Sequence, residues 1–371
     1  MRKVIGVEQS LDILSKNRGI DLEGDPKYIS QFSEAIFGEK MSLLDYVKEI
    51  LTKVKTGGDK AIYDLSSKID GQNLKQISMG KKDLENAYKH IPPNLREALE
   101  FSANRIKNFH GRSMPTDWHD NAEGYGQRYV PVNSAAAYIP GGTAKYPSTV
   151  LMTAIPARVA GVEEIAITCP MPKSPLEYAS VLAAAYISEV DQVYCVGGAQ
   201  SIGALAYGTE SVSKVDFICG PGNVFVTLAK KLVYGEVGID GLYGPTETVV
   251  IADEHANPTL CAADLIAQAE HDSLARPILI TTSPNIAADV EAEIYLRLSR
   301  LDRSEIATKS IETQGFIAIV NNLEEALELS NSFAPEHVCI ATNDPEKLVP
   351  AIKNAGMIFV GELSHEVLGD Y

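Results

Sequence analysis

From about Tyr129 onward the chain alternates short β-branched runs with Ala-rich helical segments, and this alternation constrains the fold more than any other feature. Ala135-Ala136-Ala137-Tyr138-Ile139 reads as a strand that ends at Pro140-Gly141-Gly142. A helix over Thr149 to Val159 follows, then a strand over Glu164 to Cys169 and a helix from Glu177 to Ser188. Gln192 to Val196 is the next strand, closed by Gly197-Gly198. A second series begins at Thr248-Val249-Val250-Ile251-Ala252 and runs through a helix over Thr259 to Glu270, a strand over Pro277 to Thr281 and a long helix from Pro284 to about Leu301. Phe316 to Val320, His337 to Ala341 and Gly356 to Val360 supply further strands. Strands separated by helix-length crossovers pair in parallel, because the crossover both spans the sheet and covers its face. The pattern predicts an α/β protein with two tandem Rossmann-like units and parallel sheets.

The first stretch of the chain has a different period. Leu43, Leu44, Val47, Ile50, Leu51 and Val54 recur at helical spacing. Lys55-Thr56-Gly57-Gly58-Asp59 reads as a helix stop, with Asp59 capping a second helix that carries Ala61, Ile62 and Leu65. Lys82 to Phe109 form a further amphipathic stretch, broken at Ile91-Pro92-Pro93. The N-terminal part is therefore expected to be helical.

Charge and composition exclude several classes of function. A formal net charge of −16 repels phosphate backbones, so nucleic acid is not an expected partner. No apolar run reaches the length needed to span a bilayer, and no long apolar core follows the charged start Met1-Arg2-Lys3, so neither a membrane anchor nor a secretory signal is expected. The five cysteines, Cys169, Cys195, Cys219, Cys261 and Cys339, include no CxxC pair and read as reduced thiols of a cytoplasmic protein.

Two groups of motifs bear on chemistry. Gly197-Gly198-Ala199-Gln200 and Gly220-Pro221-Gly222-Asn223 each follow a strand and open a helix, and Gly141-Gly142 makes a third such turn. Helix N-termini present unpaired N–H groups there, and glycine lets a ligand approach the backbone, so three such turns point to a cofactor cleft. The full GxGxxG fingerprint is absent. Gln268 and His271 lie three apart on one predicted helix and share a face. Glu336-His337 opens a strand after Pro335. Taken singly, His337 reads equally as a buried, hydrogen-bonded histidine, and Glu336 as a solvated loop carboxylate. His90, His110, His119 and His255 fall in polar segments, His365 reads as a surface residue, and Trp118 reads as packing.

Together these residues resemble histidinol dehydrogenase over nearly the whole chain, from about Tyr46 to Tyr371. The matching stretches include Tyr138-Ile139-Pro140-Gly141-Gly142, Tyr146 to Met152, Gly198-Ala199-Gln200, Gly220-Pro221-Gly222-Asn223, Gln268-Ala269-Glu270-His271-Asp272, Ala334-Pro335-Glu336-His337 and Gly369-Asp370-Tyr371. The resemblance implies NAD- and zinc-dependent oxidation of L-histidinol to L-histidine through histidinal, by a cytoplasmic homodimer. It implies Gln268, His271 and Asp370 as zinc ligands that also hold the substrate, and Glu336 and His337 as the acid/base pair, with His337 touching the substrate as well. Tyr138, Gln200 and Asn223 match NAD contacts, and Thr246 matches a substrate-contacting serine. It also implies a first α/β domain of 30–138 plus 246–371 with the metal and acid/base residues and a second, NAD-binding domain of 139–245, while residues 1–29 are expected to form a separate N-terminal helical segment.

The sequence departs from the family twice. Gly244-Pro245-Thr246-Glu247 stands for Gly-Pro-Ser-Glu, which keeps the hydroxyl and adds a methyl group. The sequence also stops at Tyr371, before the family's tail with a fourth zinc-binding histidine and a substrate-binding glutamate, so it reads as C-terminally truncated, with metal binding and dimerisation expected to be weaker. The alternatives are a paralogue acting on another polar alcohol and a non-catalytic remnant.

Overall fold

Glu247–Ala252, strand β10, buries side chains on both of its faces, which fixes what must surround it. Val249 and Ile251 point to one side and Val250 and Ala252 to the other, and all four are buried. In this computed structural model, which describes residues 1–16, 26–141, 145–170, 178–301 and 304–366, β10 is central to a six-stranded parallel sheet. On one side lie β11 (Arg276–Thr281), β12 (Phe316–Ile319) and β1 (Arg2–Ile5), and on the other β13 (His337–Ala341) and β14 (Met357–Val360). Helices α10 (Pro258–His271), α11 (Pro284–Leu298) and α12 (Ser304–Thr313) supply Leu265, Val290, Ile294 and Ile311 to the face of Val250. Helices α1 (Val7–Leu14) and α13 (Leu323–Phe333) bring Leu14, Leu329 and Phe333 to the face of Val249. Each such side chain contributes roughly 1.5–3 kcal/mol when fully buried, so covering both faces is the main force that docks the helices.

The second sheet has the order β2 (Ser78–Met79), β7 (Gln192–Tyr194), β6 (Glu164–Thr168), β5 (Ser134–Tyr138), β8 (Phe217–Cys219), β9 (Gly238–Ile239), parallel except for β2. Helices α3 (Leu43–Asp70), α8 (Gly198–Tyr207) and α9 (Val224–Val233) cover the face of Ala136 and Tyr138. Helices α4 (Lys81–His90), α5 (Pro93–Ser113), α6 (Pro147–Ala160) and α7 (Ala179–Ile187) cover the face of Ala135 and Ala137. Helix α2 (Pro26–Phe37) and a hairpin of β3 (Trp118–Asp120) and β4 (Tyr125–Gln127) complete the described elements. In each sheet the first strand of its series is central, the second and third lie on one side, and the fourth and fifth on the other. This doubly wound order opens a crevice where the chain direction reverses, between β5 and β8 in one sheet and between β10 and β13 in the other.

The α/β class and parallel sheets agree with the sequence pattern, whereas the expected domain limits do not. Residues 1–16 are not wholly helical: β1 is an edge strand paired with β12, helix α1 follows it, and both belong with 244–366. Residues 30–138 pack with 139–243, not with 246–371. The reason is the apolar stripe of α3: Val47, Ile50, Leu51, Val54 and Leu65 are buried in one cluster with Ala136, Ile202 and Leu205. The break expected at Gly57-Gly58 is a kink inside α3, with Gly58 at φ 52°. Asp59 does not cap the following turn. Its N–H donates to Glu210 Oε2 at 2.8 Å, and its carboxylate accepts from Thr209 Oγ1 at 2.7 Å.

Candidate active site

Thr248 of β10 is in register with His337 of β13, so the residues around the starts of these adjacent strands share one rim of the sheet. Thr246 precedes β10 and Glu336 precedes β13. The Thr246 hydroxyl lies 2.6 Å from Glu336 Oε2. Gln268 reaches the same rim from the last turn of α10 and is buried. Its surroundings set the amide orientation: the nitrogen donates to Glu366 Oε2 at 2.6 Å and to Thr248 Oγ1 at 2.5 Å, and the oxygen lies 2.5 Å from Thr246 Oγ1. Thr248 accepts from that amide and gives its single proton to Glu366 Oε2, 2.5 Å away. His337 is half-buried, with Nδ1 3.5 Å from Glu366 Oε2 and its ring edge-on to Phe359.

The fold thus brings together Thr246, Gln268, Glu336 and His337. His271 ends α10 one turn beyond Gln268 and is exposed. Asp370 lies outside the described residues, as does Gly142 of the third glycine turn. Two further members of the network, Thr248 and Glu366, escaped sequence reading. Glu366 sits in an aperiodic stretch where nothing local marks it, and only the fold carries it to His337. His365, expected at the surface, is instead half-buried and bonded through Nδ1 to Asp264 Oδ1 at 2.5 Å. Burial raises the Asp264 carboxyl, an effect that His365 opposes.

At the opposite end of β10, Asp253, Glu254 and His255 are the one group of three or more His, Cys, Asp or Glu ligand atoms that converge among the described residues. Asp253 already accepts the backbone N–H groups of His255 and Asn343, at 2.9 and 2.8 Å, so its oxygens serve the loop.

The crevice between β5 and β8 opens into a cavity of 500 Å³ that collects Tyr138, Gln200 and Asn223, with Asp70, Lys145 and Phe225 also on its wall. Tyr138 ends β5, and its hydroxyl accepts the Gly198 N–H at 3.3 Å. Burial pushes that phenol up to about 12. Asn223 caps α9 by accepting from the N–H groups of Phe225 and Val226, which leaves its amide nitrogen as the group it offers a ligand. Gln200 Nε2 donates to Asp70 Oδ2 at 2.9 Å. The Asp70 carboxylate opens onto the cavity, yet the surrounding protein pushes it up to about 6 against that hydrogen bond.

Gly220 makes the turn after β8 at φ 100°, and a Cβ there would lie 2.3 Å from the Tyr138 carbonyl oxygen. Its N–H donates to Asp240 Oδ2 and its carbonyl accepts from buried Lys230, which pairs with Asp240. Gly220→Ala should therefore cost about 3 kcal/mol of stability, through left-handed strain and the clash. Denaturant titration measures this, and an unchanged midpoint would refute the close approach.

A family model described as histidinol dehydrogenase matches residues 38–371. The chain is 50% identical over 329 residues to the histidinol dehydrogenase of Aquifex aeolicus (strain VF5), which covers 88% of this chain and 76% of that protein. It is 46% identical over 366 residues to that of Prochlorococcus marinus (strain MIT 9312), covering 98% and 83% respectively. Among solved structures, the crystal structure of histidinol dehydrogenase from Elizabethkingia anophelis superposes with a TM-score of 0.90 at 31% identity, over 100% of this chain and 82% of that one.

Proposed function

The chain belongs to the histidinol dehydrogenase family of oxidoreductases, which acts in histidine biosynthesis, and we propose that it oxidises L-histidinol to L-histidine through histidinal, with NAD as acceptor and a zinc ion holding the substrate. The observation that carries this reading is the gathering of Thr246, Gln268, Glu336 and His337, from distant parts of the sequence, on one rim of a parallel sheet.

His337 is the base for the alcohol. Its imidazole accepts the hydroxyl proton as hydride leaves carbon, a role suited to a group that titrates near neutrality. Glu336 takes the proton from the water that adds to the aldehyde, and the hydrate then loses a second hydride from carbon as one of its hydroxyl protons passes to His337, leaving the carboxyl group. The Thr246 hydroxyl steadies the Glu336 carboxylate and serves as a substrate contact. NAD, when bound, would supply the hydride acceptor for both oxidations, four electrons per histidinol. Tyr138, Gln200 and Asn223 hold it, as supported by their sharing one cavity.

Zinc fits the residues present. A buried amide oxygen and an imidazole one helical turn apart belong to the oxygen and nitrogen donor set that zinc accepts. Gln268, His271 and Asp370 would hold the ion, which supplies a Lewis-acid anchor for the substrate's nitrogen atoms. The Thr248–Gln268–Glu366 network fixes the Gln268 amide, a task typical of the shell behind a metal ligand.

We also take the enzyme as a cytoplasmic homodimer. The compartment is supported by the five cysteines, which stand as thiols and not as disulfides. Among the described residues no helix is long and apolar enough to cross a membrane.

Incubation of the purified protein with NAD, zinc and L-histidinol tests the function. Two NADH should form for each histidine produced. A single NADH per substrate with histidinal accumulating, or oxidation of other amino alcohols in preference, would sink the four-electron reading.

A further inference from the structure

The cavity between β5 and β8 has one anionic lining residue, Asp70, and one cationic lining residue, Lys145, among the described residues. Asp70 is poorly placed for stability. It is the last residue of the 28-residue helix α3, where the aligned peptide dipoles disfavour negative charge. Its side chain is exposed on the cavity wall, where the neighbouring protein still disfavours the ionised form. Against these costs stands one side-chain hydrogen bond among the described residues, from Gln200 Nε2 at 2.9 Å. A carboxylate has about four acceptor sites, so most of the capacity of Asp70 is turned to the cavity rather than to the fold.

We propose that Asp70 selects NAD over NADP by accepting the hydroxyl groups of the adenosine ribose. This inference rests on the NAD reading above and adds to it the residue that discriminates. The two nucleotides differ at the 2′ position of that ribose. In NAD the position carries a hydroxyl, which donates a charge-assisted hydrogen bond to a carboxylate. In NADP it carries a phosphate, which has no comparable donor and meets the carboxylate as a like charge. Gln200 acts as a positioning residue, since its donated bond occupies Oδ2 and fixes the direction of Oδ1. Lys145 has a different part: a cation on the same wall attracts the phosphates that both nucleotides share.

The test compares the wild-type chain with Asp70→Asn, Asp70→Ala and Lys145→Met. Each is titrated with NAD and with NADP, both for direct binding and for kcat/KM at saturating L-histidinol. The wild type should prefer NAD. In Asp70→Asn and Asp70→Ala the ratio of NAD to NADP affinity should fall on the order of 100-fold, by weaker binding of NAD together with stronger binding of NADP. Asp70→Asn should have a Tm equal to or above that of the wild type, since it removes a charge that opposes the helix dipole and keeps an oxygen for Gln200, whereas Asp70→Ala leaves the buried Gln200 amide without that acceptor and should melt lower. Lys145→Met should weaken both nucleotides alike and keep their ratio.

An unchanged ratio in the Asp70 variants overturns the proposal, and so does an equal loss of both nucleotides with a lowered Tm, which would make Asp70 a structural strut. A wild-type chain that binds neither nucleotide would bring down the NAD reading itself, and this inference with it. A wild type that binds NAD while its Asp70 variants keep the preference would remove only the discriminator.

Discussion

His337→Asn should lower kcat on the order of 10³-fold while leaving the KM for L-histidinol within a few-fold. Asparagine keeps a polar side chain at the start of β13 but cannot accept and release a proton near neutrality. A general base acts as the O–H bond breaks, so its loss raises the barrier without removing a ground-state contact of similar size. Its place in the fold supports that role. His337 is half-buried, is held edge-on to Phe359, and lies beside a carboxylate that can orient its ring. Glu336→Gln should separate the two halves of the reaction. The alcohol step keeps its base, whereas hydration of the aldehyde loses its proton acceptor, so histidinal should accumulate and NADH should approach one per substrate. Stopped-flow NADH formation with product analysis measures both variants. If His337→Asn instead raises KM with kcat intact, the imidazole is a binding group and the base lies elsewhere.

The sequence revealed much of this architecture, and its failures have physical causes. Runs such as Val249 to Ala252 and Ile278 to Ile280 are apolar throughout because helices cover both faces of the sheet, which makes the strand assignment direct. The expectation that α3, α4 and α5 join the other unit comes from the resemblance, and periodicity cannot correct it, because it reports that a helix has an apolar face but not which sheet that face covers. Strand β1 was missed because an exposed four-residue edge strand that reads Arg-Lys-Val-Ile needs no alternation, only a neighbour such as β12. The shared strand order of the two sheets lies in topology, and nothing in the residues records it as a repeat. Among the candidate site residues, Gln268, His271, Glu336 and His337 each stand in a recognisable local pattern. Glu366 carries none and gains its meaning from His337, Thr248 and Gln268, which reach it from three other elements. Asp70 was hidden in the same way, as the last turn of a helix that reads as packing.

His271→Asn should abolish measurable turnover at limiting zinc and reduce zinc affinity on the order of 100-fold or more. The imidazole is the one nitrogen donor in the proposed set, and zinc favours such a ligand over an amide oxygen. Its loss differs in kind from the loss of an outer contact, which typically costs 10–100-fold in metal affinity. Because His271 is exposed at the end of α10, its replacement leaves no buried hole, so the variant should melt within a few degrees of the wild type. Gln268→Ala should also lose zinc, but it empties a buried position bonded to Thr248 and Glu366 and should therefore lower Tm as well. Elemental analysis after dialysis, with thermal melts and NADH formation on the same samples, separates these effects. Restoring zinc in excess should recover part of the His271→Asn activity, since mass action fills a weakened site. Stoichiometric zinc with full turnover in His271→Asn would remove the imidazole from the metal site and leave Gln268 to be explained as structural.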